Sequence, residues 1–108
     1  YNALKRNIEW DLTLYDVYEV FEMQHKQCAL TGVALKFGRI RYRTETNASI
    51  DRIDSSKGYS KDNIQLVCKD VNFMKGTLDQ NYFIDLCCQV ARKKEGELLP
   101  SLKSSPQD

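Results

Sequence analysis

No apolar run in these 108 residues is long enough to span a bilayer, and the first ten, YNALKRNIEW, lack the charged, apolar and small-residue regions of a signal peptide. Both absences lead to the expectation of an intracellular (cytoplasmic) protein without a membrane partner. Cysteine is sparse. There are four, and Cys87 and Cys88 are adjacent within a helical pattern, so the chain does not resemble a small secreted disulfide scaffold. Reduced thiols are expected. Histidine occurs once, as His25 just before Cys28, and a lone helical histidine is more often a surface or core-edge residue than a catalyst. Internal repeats are absent. The length, with 42% hydrophobic residues, suits one domain with a modest core.

Charge is present but unevenly placed. The net value is only +1, yet residues 36 to 75 carry nine Lys or Arg against five acids, while both flanks are slightly acidic. A basic middle framed in this way suits a localised contact with a polyanion. A solvated loop is the plain alternative. Arg39, Arg41 and Arg43 stand in the polar stretch GRIRYRTETN, which reads as an extended arm or a hairpin loop.

Asp11 or Thr13 can cap a helix on which Leu14, Val17, Tyr18 and Phe21 recur at helical spacing, and which should run to near Gln27. CALTGVALKF then reads as a strand or the start of a hairpin turning at Gly32. ASIDRI and IQLV read as two short strands separated by the turn-rich DSSKGYSKDN. Val67, Val71 and Met74 mark a helix closed by Gly76, and a further helix opens near Asp79 with Tyr82, Phe83, Leu86, Cys87 and Val90 on its apolar face. The aromatic residues are expected mostly in the core. The reading is therefore an α+β protein with one domain over residues 1 to 94 and an irregular, disordered tail over 95 to 108.

A helix packed across the hairpin would bring Asp51 and Asn72 together. Hard divalent cations take oxygen ligands and keep several waters, so one carboxylate and one amide oxygen suffice where phosphate completes the shell. On these residues the chain resembles the HNH endonuclease family and its ββα-metal fold, over about Cys28 to Lys75 and most closely the small phage and bacterial members that read SxDRID, KGY, N, N and K in order. The resemblance implies a core motif over 28 to 76, Asp51 and Asn72 as ligands of one Mg²⁺ or Mn²⁺, Asn63 as the brace of the inter-strand loop, and Lys75 as a basic site residue. It implies DNA, in duplex form, as the partner. Arg39, Arg41, Arg43, Arg52, Lys57 and Lys75 are the expected nucleic-acid contacts.

Two departures from the family stand out. Cys28 and Cys68 lie where many members carry two CxxC pairs for zinc, but Thr31 and Val71 fill the other positions. A structural zinc needs about four good ligands, so none is expected and both thiols read as small buried hydrophobes. Cys87 and Cys88 read the same way, one inward and one at the helix flank. Arg52 stands where the family has its water-activating histidine. A guanidinium stays protonated, so Arg52 is either a phosphate clamp in the catalytic site or the partner of Asp51 or Asp54 in an ion pair. A proton acceptor would then come from Asp54 or from metal-bound hydroxide.

The function expected from this reading is divalent-metal-dependent hydrolysis of DNA phosphodiester bonds, with Asp51, Arg52, Asn63, Asn72 and Lys75 as the site. The alternative is a DNA-binding module that keeps the scaffold without the chemistry. A third reading is a regulatory or interaction fragment of a larger nuclease, because the chain begins without methionine.

Overall fold

The computed structural model describes residues 8–36 and 47–103, with side chains through residue 97. The architecture is α+β. In chain order the elements are β1 (Trp10–Asp11), α1 (Leu14–Met23), β2 (Ala48–Arg52), β3 (Tyr59–Ser60), a 3₁₀ turn (Lys61–Asn63), β4 (Ile64–Cys68), α2 (Lys69–Lys75) and α3 (Gln80–Lys103). Two compact units divide between Thr77 and Leu78, where the sequence suggests one domain continuing to residue 94.

Thr13 starts α1 through a capping box. Its Oγ1 accepts from Asp16 N at 3.1 Å and Asp16 Oδ2 accepts from Thr13 N at 3.0 Å, satisfying two amides that the first turn leaves open. The helix stops at Met23, short of Gln27, because His25 and Lys26 adopt φ of 56° and 61°. Two consecutive non-glycine residues in the left-handed region are costly, at about 1 to 2 kcal/mol each, and no glycine announces them in the sequence. The side chain of Gln24 offsets this cost. Its Nε2 donates to Leu66 O at 2.9 Å and to Gln27 O at 2.7 Å, and its Oε1 accepts from Leu66 N at 2.9 Å, so one amide satisfies both backbone groups of a strand residue.

β2 and β4 pair antiparallel, with Ala48 opposite Cys68 and Arg52 opposite Ile64. Val17, Val20 and Phe21 of α1 form the core with Cys28, Leu35, Ala48, Ile64, Leu66 and Val67, and Leu66 and Val67 are fully buried. Ile64 to Val67 are buried at every position, as expected of a strand covered on both faces. CALTGVAL forms a turn rather than a strand, closed by a single bridge between Gln27 and Ala34 and by Gly32 at φ 79°. Asn47 joins the ends of the next segment, accepting from Lys36 N at 2.7 Å and donating to Ala34 O at 3.2 Å. Arg39, Arg41 and Arg43 lie outside the described residues.

β1 and β3 make a parallel pair that the sequence does not signal, with Trp10 beside Tyr59 and ring centroids 4.8 Å apart. Gly58 is required there. A Cβ at that position would come within 2.5 Å of Glu9 O, the carbonyl that accepts from Tyr59 N. Most of the aromatic residues depart from the expected core: Trp10, Tyr15, Tyr18, Phe73 and Tyr82 are exposed, while Phe21 on α1 and Phe83 on α3 are buried as expected.

The helical reading past Asp79 is too short. α3 continues to Lys103, so residues 95–103 are helical rather than an irregular tail, and Lys93 and Lys94 both pair with Glu97 across the point where apolar periodicity fails. Cys87 and Cys88 are both exposed, not one inward, as are Tyr82 and Val90 of the expected apolar face. Among the described residues no helix is long and apolar enough to cross a membrane.

Candidate functional site

The register of the hairpin sets the centre of the site. Asp51 pairs with Gln65, so their side chains leave the sheet on one face, and Gln65 Nε2 donates to Asp51 Oδ2 at 2.8 Å. α2 follows β4 and brings the end of its last turn over the same face. There Lys75 Nζ lies 3.1 Å from Asp51 Oδ1, 2.9 Å from Asp51 Oδ2 and 2.8 Å from Arg52 O. Asp51 is 3% exposed and Lys75 1%. An ion pair this deep is held by geometry and by its extra hydrogen bonds, since desolvation of both charges offsets much of their attraction.

This arrangement corrects two expectations. Lys75 does not reach a nucleic acid from the surface, because its ammonium is spent inside the protein. Asp51 does not present a free carboxylate, because both oxygens accept hydrogen bonds from neighbouring side chains.

Asn72 sits one helical turn before Lys75 and donates Nδ2 to Ser49 Oγ at 2.7 Å, leaving its amide oxygen with no partner among the described residues. Asp51, Asn72 and Arg52 all line one cleft of about 390 Å³, together with Tyr59 and Phe73. Lys75 Nζ, with its oxygen neighbours, already puts a cation against Asp51. The hard donors Asp51 and Asn72 fit a divalent ion in chemistry, and such an ion would take the place that Lys75 now holds on the carboxylate. Among the described residues no group of three or more His, Cys, Asp or Glu side chains could hold a metal, so the two donors stand without a third protein carboxylate.

Asn63 closes the loop between the strands. Its Oδ1 accepts from Asp54 N at 2.9 Å, and its Nδ2 donates to Asp54 O at 3.0 Å and Gly58 O at 2.9 Å. One buried amide thus holds both sides of the loop.

Arg52 takes neither of the ion pairs considered from the sequence. Its Nη1 donates to Ser55 O and Lys57 O, each at 2.9 Å, and its guanidinium carbon lies 5.2 Å from the centroid of the Tyr59 ring. The remaining guanidinium nitrogens make no hydrogen bond within the described residues and border the cleft, and Arg52 also lines a neighbouring cleft of about 780 Å³ with Lys57 and Asn63. Asp54 makes no ion pair with Arg52. Ser56 donates its hydroxyl and amide to Asp54 Oδ1, at 2.6 and 2.9 Å, and these bonds hold the carboxyl below the usual carboxylate range. Asp54 is therefore ionised but a weak base. Lys57 is exposed, 3.9 Å from Asp54 Oδ2.

Cys28 and Cys68 meet away from this cleft. Cys28 Sγ accepts from Thr31 N and from Cys68 N, both at 3.4 Å, and Thr31 Oγ1 lies 3.7 Å from Cys68 Sγ. Burial pushes the Cys28 thiol up, but the hydrogen bonds from Thr31, Cys68 and Leu30 outweigh it and bring it to about 7. Burial raises Cys68. Val71 packs against the core rather than joining these thiols.

Sequence reasoning missed Gln24, Gln65 and Ser49. Gln65 was accessible in principle, since pairing ASIDR with IQLVC antiparallel sets it across from Asp51. The comparisons with known proteins add no relative: no family model, no curated protein and no solved structure matches the chain.

Proposed function

We propose that this chain is a divalent-metal-dependent endonuclease that hydrolyses DNA phosphodiester bonds at the cleft between the β2–β4 hairpin and α2. The observation that carries this reading is the convergence of Asp51, Arg52 and Asn72 on that one cleft, with Asn63 fixing the loop that positions Arg52.

In this reading Asp51 and the amide oxygen of Asn72 are the residues that would hold one Mg²⁺ or Mn²⁺. When bound, the ion supplies charge neutralisation on the phosphate and a lowered water pKa. Arg52 binds a phosphate oxygen with the guanidinium edge not used on Ser55 and Lys57, and stabilises charge that develops there. Tyr59 supports that guanidinium from below with its ring. Lys75 and Gln65 hold the Asp51 carboxylate in position.

The second reading is a DNA-binding module without hydrolysis. It is favoured by Lys75 occupying both oxygens of Asp51 and by an arginine in place of a general base. Incubating supercoiled plasmid with the protein in Mg²⁺, Mn²⁺ or EDTA, with duplex binding measured in parallel, separates the two. Nicking is expected with either ion and not in EDTA. Asn72→Ala should remove it with binding retained, since it deletes an oxygen donor facing the cleft without unpairing the buried Lys75–Asp51 ion pair. Binding without cleavage in both metals would select the module.

A further inference from the structure

We propose that Phe73 is a base-contacting wedge that inserts at a step of duplex DNA beside a phosphate held by Arg52. The proposal rests on the nucleic-acid reading of the same cleft and adds how the chain would engage the bases.

α2 is pinned on its inner side. Val71 packs against the core, Asn72 bonds Ser49, and Lys75 is sealed against Asp51 and the Arg52 carbonyl. The next residue round from Asn72 therefore has a fixed direction; it is Phe73, at 87% exposure the most exposed large apolar side chain among the described residues. Single exposed apolar residues need no explanation by themselves. Phe73, however, lines the cleft with Arg52, whose free guanidinium edge is that cleft's one uncompensated charge among the described residues, because Lys75 neutralises Asp51.

An aromatic face next to a positive fork is complementary to a base and its adjoining phosphate. Apolar wedges such as Phe and Met are the side chains that DNA-bending proteins place between base steps, where partial unstacking is compensated by the added protein surface. Rigid support matters here, since a wedge that swings aside on meeting the duplex does no unstacking.

The test compares the full chain with Phe73→Ala and Phe73→Trp on a duplex carrying the fluorescent base analogue aminopurine, over a series of salt concentrations. The parent should raise the analogue's fluorescence as its stack opens. Phe73→Ala should abolish that rise and weaken binding about 5- to 100-fold, as expected when an aromatic ring no longer stacks on a base. Phe73→Trp should restore both. The slope of log affinity against log salt should be the same for all three, because the same phosphates are engaged in each. Thermal midpoints should also agree, since an exposed side chain is being altered.

Equal affinity and an equal fluorescence rise in Phe73→Ala would overturn the wedge and leave the nuclease reading standing. A flattened salt slope would assign Phe73 to backbone positioning and overturn it too. So would a parental dimer that Phe73→Ala converts to monomer with no change at the DNA. Failure of the parent to bind DNA at all removes both the wedge and the reading beneath it.

Discussion

Lys75 and Asp51 are the pair on which the site depends, and they show how far residue spacing could be read. The order Asp51, Asn63, Asn72 and Lys75 is visible in the sequence, and a helix crossing a hairpin brings three of them near one another. What spacing does not reveal is which groups satisfy one another once water is gone. A lysine has three protons to place, and here Asp51 and the Arg52 carbonyl accept them all. Lys75→Met should therefore destabilise the protein by roughly 3 to 5 kcal/mol, because it leaves a buried carboxylate without its partner. Pairing it with Asp51→Leu should recover most of the loss, since two apolar residues replace two charges. Urea unfolding of the two single variants and the double variant checks this, and strict additivity would mean the two charges do not interact. The same argument makes Asp51→Ala a poor probe of chemistry, as it strands the Lys75 ammonium.

At the scale of elements, the hairpin strands, α2 and the Gly76 stop were legible because each carries an ordinary signal: alternation, helical spacing, a terminal glycine at φ 53°. The parallel pairing of β1 and β3 was not, since two residues show no period. Nor was the early end of α1, whose left-handed residues His25 and Lys26 are stabilised by distant groups. The turn that follows makes a pH prediction. Cys28 titrates at about 7 in the folded chain against an ordinary value of 9.0, so the folded state binds the proton less tightly than the unfolded one. Its contribution is fully present above pH 9 and is lost as pH falls through 7. Stability should thus rise between pH 7 and pH 9, partly offset near pH 9 by Cys68, whose thiol is raised, and Cys28→Ala should flatten that rise. Urea midpoints at the two pH values decide it. A rise that persists in the alanine variant assigns the effect to another group.

Over the whole molecule, the near-neutral net charge hides a local imbalance that the fold refines. Of the nine basic side chains between residues 36 and 75, Lys75 is cancelled by Asp51 inside the protein, Lys61 pairs with Glu19, and Lys57 lies near Asp54. Among the described residues, Arg52 at the cleft, Lys36 and Lys69 are left to face a polyanion; Arg39, Arg41 and Arg43 lie outside the described residues. The closure joins Asn47 to Lys36 N and Ala34 O, and the three arginines are tested as a set. Neutralising Arg39, Arg41 and Arg43 together should leave the melting temperature unchanged and weaken duplex binding. It should also flatten the dependence of log affinity on log salt by about 0.9 for each phosphate no longer neutralised. Fluorescence anisotropy from low to physiological salt measures both quantities. A weakened affinity with an unchanged slope would mean the segment touches bases or protein rather than phosphate, and an unchanged affinity would move the DNA off that segment and onto the cleft beside Arg52.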